Sequence, residues 1–148
     1  MKLDWCVKQK NGIELIERKD HLSEAYMEEA DDTLRAVSLN VGKWKVITAY
    51  YSCYNAVYSL FMRAGVKCEI HDCTIEAMSL FGFSEEDVEF LKSLKADRIK
   101  NQYYLKNIEL EDEGKVSEFV LKCREILSSF SDEKIEGIRN KIMETKNE

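Results

Sequence analysis

An all-α fold, an up-and-down bundle of about five helices, is what this sequence predicts. Three observations carry it. The 148 residues contain no proline, where average usage would give about seven. The six glycines stand singly, so few breaks are enforced. Apolar residues recur at three- and four-residue spacing through most of the chain. A chain of 17.3 kDa is one domain. It divides into an N-terminal arm over 1–19, a bundle core over 20–130 and a C-terminal helix over 131–148.

In residues 3–18, Trp5, Val7, Ile13, Leu15 and Ile16 surround a Lys10-Asn11-Gly12 turn signal, which favours an irregular arm packed by Trp5 over a frayed helix. Residues 20–39 place Leu22, Tyr26, Ala30, Thr33, Leu34 and Val37 on one face of a helix, with Asp20 or Ser23 as its cap. Gly42 marks a break before a second helix over 44–64, which ends at Gly65. This helix carries a small-residue stripe, Ala49, Cys53, Ala56 and Leu60, beside an aromatic one, Tyr50, Tyr54, Tyr58 and Phe61. Its uncharged run, Val46 to Met62, holds too many hydroxyl groups for a membrane span, so a buried bundle helix is expected. Buried tyrosines need hydroxyl partners, so the aromatic stripe fits core packing, a subunit interface or a polar cleft.

Asp72 is a candidate cap for a short helix over 73–81, which Gly82 ends. Ser84-Glu85-Glu86-Asp87 reads as a capping box opening a helix over 85–104, with Val88, Leu91, Leu94 and Lys95 in apolar register. An acidic loop over 107–114, containing Gly114, leads to a helix over 115–130. Ser131 caps a last helix over 132–145, and the final residues are expected to fray.

The net charge of −6 argues against general binding of polyanions. The charge is uneven, however. Residues 66–91 sum to −6, while residues 92–106 sum to +4 around Arg98. That stretch is either a solvated helix face or the best local candidate for contact with nucleic acid or nucleotide. Five irregularly spaced cysteines make a disulfide framework unexpected and a reducing cytoplasm the default. Cys68-x-x-His71-x-Cys73 offers three ligand types on one connector, but without the regular pairing of a zinc site, and no metal is expected. No glycine–lysine–Ser/Thr phosphate loop and no Gly-x-Ser-x-Gly elbow occurs, and nothing calls for a cofactor. The strongest local chemistry is Arg98-Ile99-Lys100-Asn101-Gln102-Tyr103-Tyr104. On a helix Arg98 shares a face with Asn101 and Gln102, a fork of donors suited to phosphate or to a structural acid.

Ala49-Tyr50-Tyr51-Ser52-Cys53-Tyr54-Asn55-Ala56-Val57-Tyr58 resembles the second-helix signature of HEPN domains, the higher eukaryotes and prokaryotes nucleotide-binding family. Gly65, Ile70-His71 and Arg98…Tyr103 follow in the family's order, and the resemblance spans about residues 20–130. It implies a bundle of four to five helices, usually a homodimer, and often a partner that is a minimal nucleotidyltransferase in a toxin–antitoxin or two-part transfer system. Active members of the family are metal-independent ribonucleases. They use an arginine followed four to six residues later by a histidine, in a cleft at the dimer interface. The arginine carries over to Arg98, but Tyr103 stands where the histidine belongs. Tyrosine, with a pKa of about 10, is a poor base. Tyr103 also lies about 140° around an ideal helix from Arg98. His71 replaces the missing histidine only if the fold brings it to Arg98.

On this reading Arg98 and Tyr103 are the catalytic candidates. Arg98, Asn101, Gln102, Tyr103, Lys95 and His71 are the ligand-binding candidates, and Tyr50, Tyr54 and Tyr58 are the dimer-interface candidates. The leading expectation is a cytoplasmic nucleotide- or RNA-binding module that works with a nucleotidyltransferase and not at a membrane. A ribonuclease toxin using Arg98, with His71 or Tyr103 moving the proton, is the second. A helical dimerisation protein without a ligand is the third.

Overall fold

The computed structural model describes residues 2–148. Five long helices dominate: α2 (Asp20–Leu39), α3 (Lys43–Ala64), α5 (Glu85–Tyr103), α6 (Glu113–Ser128) and α7 (Asp132–Lys146). Two short ones, α1 (Lys2–Cys6) and α4 (His71–Glu76), flank them, and a 3₁₀ turn over Ala77–Phe81 follows α4. Two-residue strands β1 (Glu14–Leu15) and β2 (Val66–Lys67) pair antiparallel, Glu14 opposite Lys67 and Leu15 opposite Val66. The all-α bundle read from the sequence is the architecture found. Among the described residues no helix is long and apolar enough to cross a membrane.

The uncharged run of α3 lies at the centre of the bundle, and fifteen of its 22 residues are buried. Small residues let α2 approach it closely as an antiparallel partner. Ala30, Ala49 and Ala56 are fully buried. Serines fix the register: the Ser59 hydroxyl donates to the Ser23 carbonyl at 2.7 Å, and that of Ser52 donates to the Ala30 carbonyl at 2.8 Å. At one end α6 is tied to α3 by Lys45–Glu113, and it is tied to α2 by Arg124–Asp31. The Phe90–Phe119 ring pair and Asp87–Lys122 join α5 to α6. Ile135, Ile138 and Ile142 seat α7 on the core. Arg139 of α7 reaches across, with Nη1 at 2.8, 3.0 and 2.9 Å from the carbonyls of Ile16, Ala64 and Gly65.

Several expectations need correction. The N-terminal arm is not irregular. It forms α1 and β1, anchored by Leu3, Cys6, Val7 and Ile13, while Trp5 is 49% exposed and packs nothing into the core. The disulfide judged unexpected is present: Cys6 and Cys73 are bonded, with their Cα atoms 5.6 Å apart across 67 residues of sequence. Docking of α1 on α4 makes that pairing, and spacing along the chain does not carry it. Cys53, Cys68 and Cys123 are free and buried.

Neither expected cap serves α2. Its N-cap is Lys19, Asp20 pairs with Arg63 at 3.1 Å, and Ser23 is turned inward to Ser59. Asp72 does not cap α4, which starts two residues earlier than expected, at His71. Its carboxylate meets Lys95 instead. Gly114 is not a break, because it sits in the first turn of α6 and donates to the N-cap Asp112. The last helix continues to Lys146. The capping box at Ser84 and the cap at Ser131 form as read.

Candidate functional site

On α5 the buried positions are Leu91, Leu94, Arg98 and Asn101. That is one helical stripe, and it turns from apolar to polar halfway along. Polar groups on a core stripe need partners. Asn101 finds them locally. Its amide donates to the Ile108 carbonyl at 2.9 Å and accepts from the Ile108 amide at 2.8 Å, which fixes the α5–α6 loop.

Arg98 points to α3 and is 7% exposed. Its guanidinium lies 4.7 Å from the Tyr50 ring centre and 5.4 Å from that of Tyr51. Nη1 donates to the Tyr51 hydroxyl at 3.0 Å and to Gln102 Oε1 at 3.4 Å. Nε is buried and has no hydrogen-bond partner, and none of the ion pairs among the described residues includes Arg98. A nearly buried guanidinium held by rings and neutral oxygens keeps an uncompensated positive charge.

The second element is α4. Gly65 ends α3 in the left-handed region, at φ 72°, and the chain turns back through β2 to His71. His71 Nδ1 lies 2.7 Å from the Tyr50 hydroxyl, and its ring stacks on Tyr54 with centres 4.1 Å apart. Tyr50 thus touches His71 with its hydroxyl and Arg98 with its ring face. Burial lowers the His71 pKa from its ordinary value, and the charges of Arg98 and Lys95 lower it further. The imidazole is neutral at pH 7 and can accept a proton. Burial pushes the phenols of Tyr50 and Tyr54 up, so both stay protonated.

Beside this cluster runs a groove of about 490 Å³, lined by Tyr26, Tyr51, Tyr54, Asn55, Tyr58 and His71, with Lys67 and Glu69 as its charged lining. Tyr51 belongs to both parts: its ring lines the groove, and its hydroxyl accepts from Arg98.

The candidate residues therefore separate. Arg98, Gln102 and His71 come together around Tyr50 and Tyr51. Lys95 is one turn away on α5, held by Asp72. The amide of Asn101 is engaged by the loop. Tyr103 is 65% exposed at the end of α5 and does not join Arg98. Tyr50, Tyr54 and Tyr58 face the interior of their own chain. Their hydroxyls meet His71, Thr74 and the Cys68 amide, respectively. Cys68, His71 and Cys73 do not converge: the Cys73 sulfur is bonded to Cys6, and Cys68 donates to the Ile70 carbonyl. The sequence reading missed Tyr51 as the partner of Arg98, and it missed Tyr26 and Asn55 in the groove. The available signals were the paired tyrosines and the polar continuation of the α5 stripe.

The chain matches no protein-family model, no curated protein and no solved structure.

Proposed function

We propose that the chain is a HEPN-type module that binds a nucleotide or RNA by a phosphate at Arg98, with a base on the tyrosines of the adjoining groove. The observation that carries this reading is the nearly buried Arg98, which lacks a carboxylate partner and has an unbonded Nε. A phosphate supplies the missing counter-charge and accepts bonds from a guanidinium fork. Stacking on tyrosine faces suits any base, which fits a binder of broad sequence tolerance. The HEPN resemblance adds the expectation of a homodimer and of a nucleotidyltransferase partner in a toxin–antitoxin-like pair. Titration of short single-stranded RNA into wild type and Arg98→Met, followed by fluorescence anisotropy, tests the reading. Binding by wild type, weakened at least tenfold in the variant, supports it. Equal binding, or none in either, removes it and leaves a structural helical protein.

A second reading is a metal-independent ribonuclease, favoured by the contact of His71 and Arg98 with one tyrosine. Here His71, not Tyr103, is the proton-transfer group, because its lowered pKa leaves a neutral imidazole beside a fixed positive charge. Incubating RNA with wild type, Arg98→Ala and His71→Ala in the presence of chelator tests it. Cleavage by wild type alone supports the enzyme, and intact RNA in all three tubes rejects it.

A further inference from the structure

We propose that the Cys6–Cys73 disulfide is a reversible redox latch: closed, it holds α4 and His71 against Tyr50, and opened, it releases the N-terminal segment and loosens His71. The latch acts on the order of α4 and is independent of the ligand that the site takes.

α1 has five residues and α4 has six. Neither is long enough to persist as an isolated helix, so each exists by docking. α1 docks through Leu3 and Cys6, and α4 through Cys73, Thr74 and Ile75. Beside the buried side chains of Leu3, Val7 and Ile13, the polar ties near their contact are weak. Lys2 and Asp72 are 3.8 Å apart, with both side chains about half exposed, and such pairs contribute little. One backbone bond joins the Glu69 amide to the Asn11 carbonyl at 2.9 Å. The disulfide is the one covalent tie.

Cys73 lies two residues after His71 on the same short helix. The other ties from α4 to the body include the Thr74–Tyr54 hydroxyl contact at 3.0 Å, Lys95–Asp72, Lys92–Glu76 at 4.0 Å and the buried side chain of Ile75. His71 stacks on Tyr54 and bonds Tyr50 at 2.7 Å, so a shift of α4 by a few ångströms breaks its contact with the ring that Arg98 covers.

Both sulfurs are buried, but α1 is a five-residue helix that exists only by docking, and such short elements open locally more readily than the core. The thiolate of a small dithiol then attacks one sulfur. It forms a mixed disulfide and expels the other cysteine as a thiolate. The reductant's second thiolate displaces the remaining cysteine and closes the reductant's own disulfide. Two electrons and two protons pass to Cys6 and Cys73, which become thiols. Cys53, Cys68 and Cys123 do not compete, because burial raises each of their pKa values and suppresses the nucleophilic thiolate.

The test uses the whole chain, air-oxidised and then treated with dithiothreitol, beside a Cys6→Ser/Cys73→Ser double variant. Alkylation after denaturation counts thiols by mass: three in the oxidised form and five in the reduced form are expected. The chain has two histidines, His21, which is exposed, and His71. Proton NMR therefore reports the site and a control in one spectrum. Reduction is expected to shift the His71 signal and raise its titration midpoint toward about 6.5, its ordinary value. His21 stays unchanged, and so does the far-UV helix signal. The double variant reproduces the reduced spectrum without reductant. Five thiols in the oxidised chain overturn the latch, as does a His71 signal that ignores reduction. Loss of the whole helix signal on reduction also overturns it, because the bond is then a staple for the entire fold.

Discussion

Arg139 gives the sharpest stability test. Its Nη1 lies 2.8, 3.0 and 2.9 Å from the carbonyls of Ile16, Ala64 and Gly65, so one cation joins α7 to the start of the bundle and the end of α3. Arg139→Met keeps most of the stem and removes the donor. A hydrogen bond to a charged group contributes about 1.5–3 kcal/mol. One NH₂ group has two protons, so it makes two good bonds and not three. The site is only half-buried, so solvent replaces part of what is lost, which puts the loss below the sum of two such bonds, at about 2–3 kcal/mol. For a chain of this size that is about 6–10 °C in Tm. Urea unfolding and a thermal melt followed by circular dichroism measure both numbers. The internal control is Arg18→Met, which breaks an exposed pair with Asp132 at 2.9 Å and is expected to cost under about 1 kcal/mol. If Arg139→Met costs no more than Arg18→Met, the three-carbonyl contact is not a structural joint.

Four further outcomes are expected. The Cys6→Ser/Cys73→Ser variant loses up to about 4 kcal/mol, the loop-closure value for 67 residues, read from its urea midpoint against the oxidised wild type. His71 has a lowered folded-state pKa, so the unfolded chain takes up a proton near pH 6.5 that the folded chain refuses. Stability therefore falls as pH drops from about 6.5 toward the lowered folded value, and urea midpoints across that window show a shallower slope for His71→Gln. Arg98→Met removes a buried charge without a carboxylate partner, so its melting point should equal or exceed the wild type's while RNA binding falls. Gly65→Ala loses about 2 kcal/mol or more by thermal melt, because Gly65 has φ 72° and an added Cβ would lie 2.5 Å from the Ile16 carbonyl oxygen.

What could be read from the sequence was what neighbouring residues decide. The long helices follow from periodicity, and the caps at Ser84 and Ser131 act within three residues of themselves. The start of α2 is not decided locally, because Ser23 answers to Ser59, 36 residues away. The same reason hid the disulfide and the two-residue strands, which exist only after α1 and β1 dock on the body.

At the site, Arg98 was legible by its place among polar neighbours, but its company was not. Linear spacing pointed to Tyr103, whereas helix phase puts Arg98 in line with Leu91, Leu94 and Asn101 and sends Tyr103 outward. His71 reaches the site only because α3 ends at Gly65 and the chain doubles back.

The disulfide also decides how the molecule carries a mechanical load. It closes residues 6–73 into a covalent ring that contains α2 and α3, while α5, α6 and α7 lie outside. Force applied at the two ends passes from Cys6 directly to Cys73 and never stretches the α2–α3 hairpin. Of roughly 510 Å of extended chain, about 230 Å is out of reach while the bond is intact. A single molecule pulled from its termini therefore lengthens by little more than half, and reduction under tension releases the remainder as one discrete step.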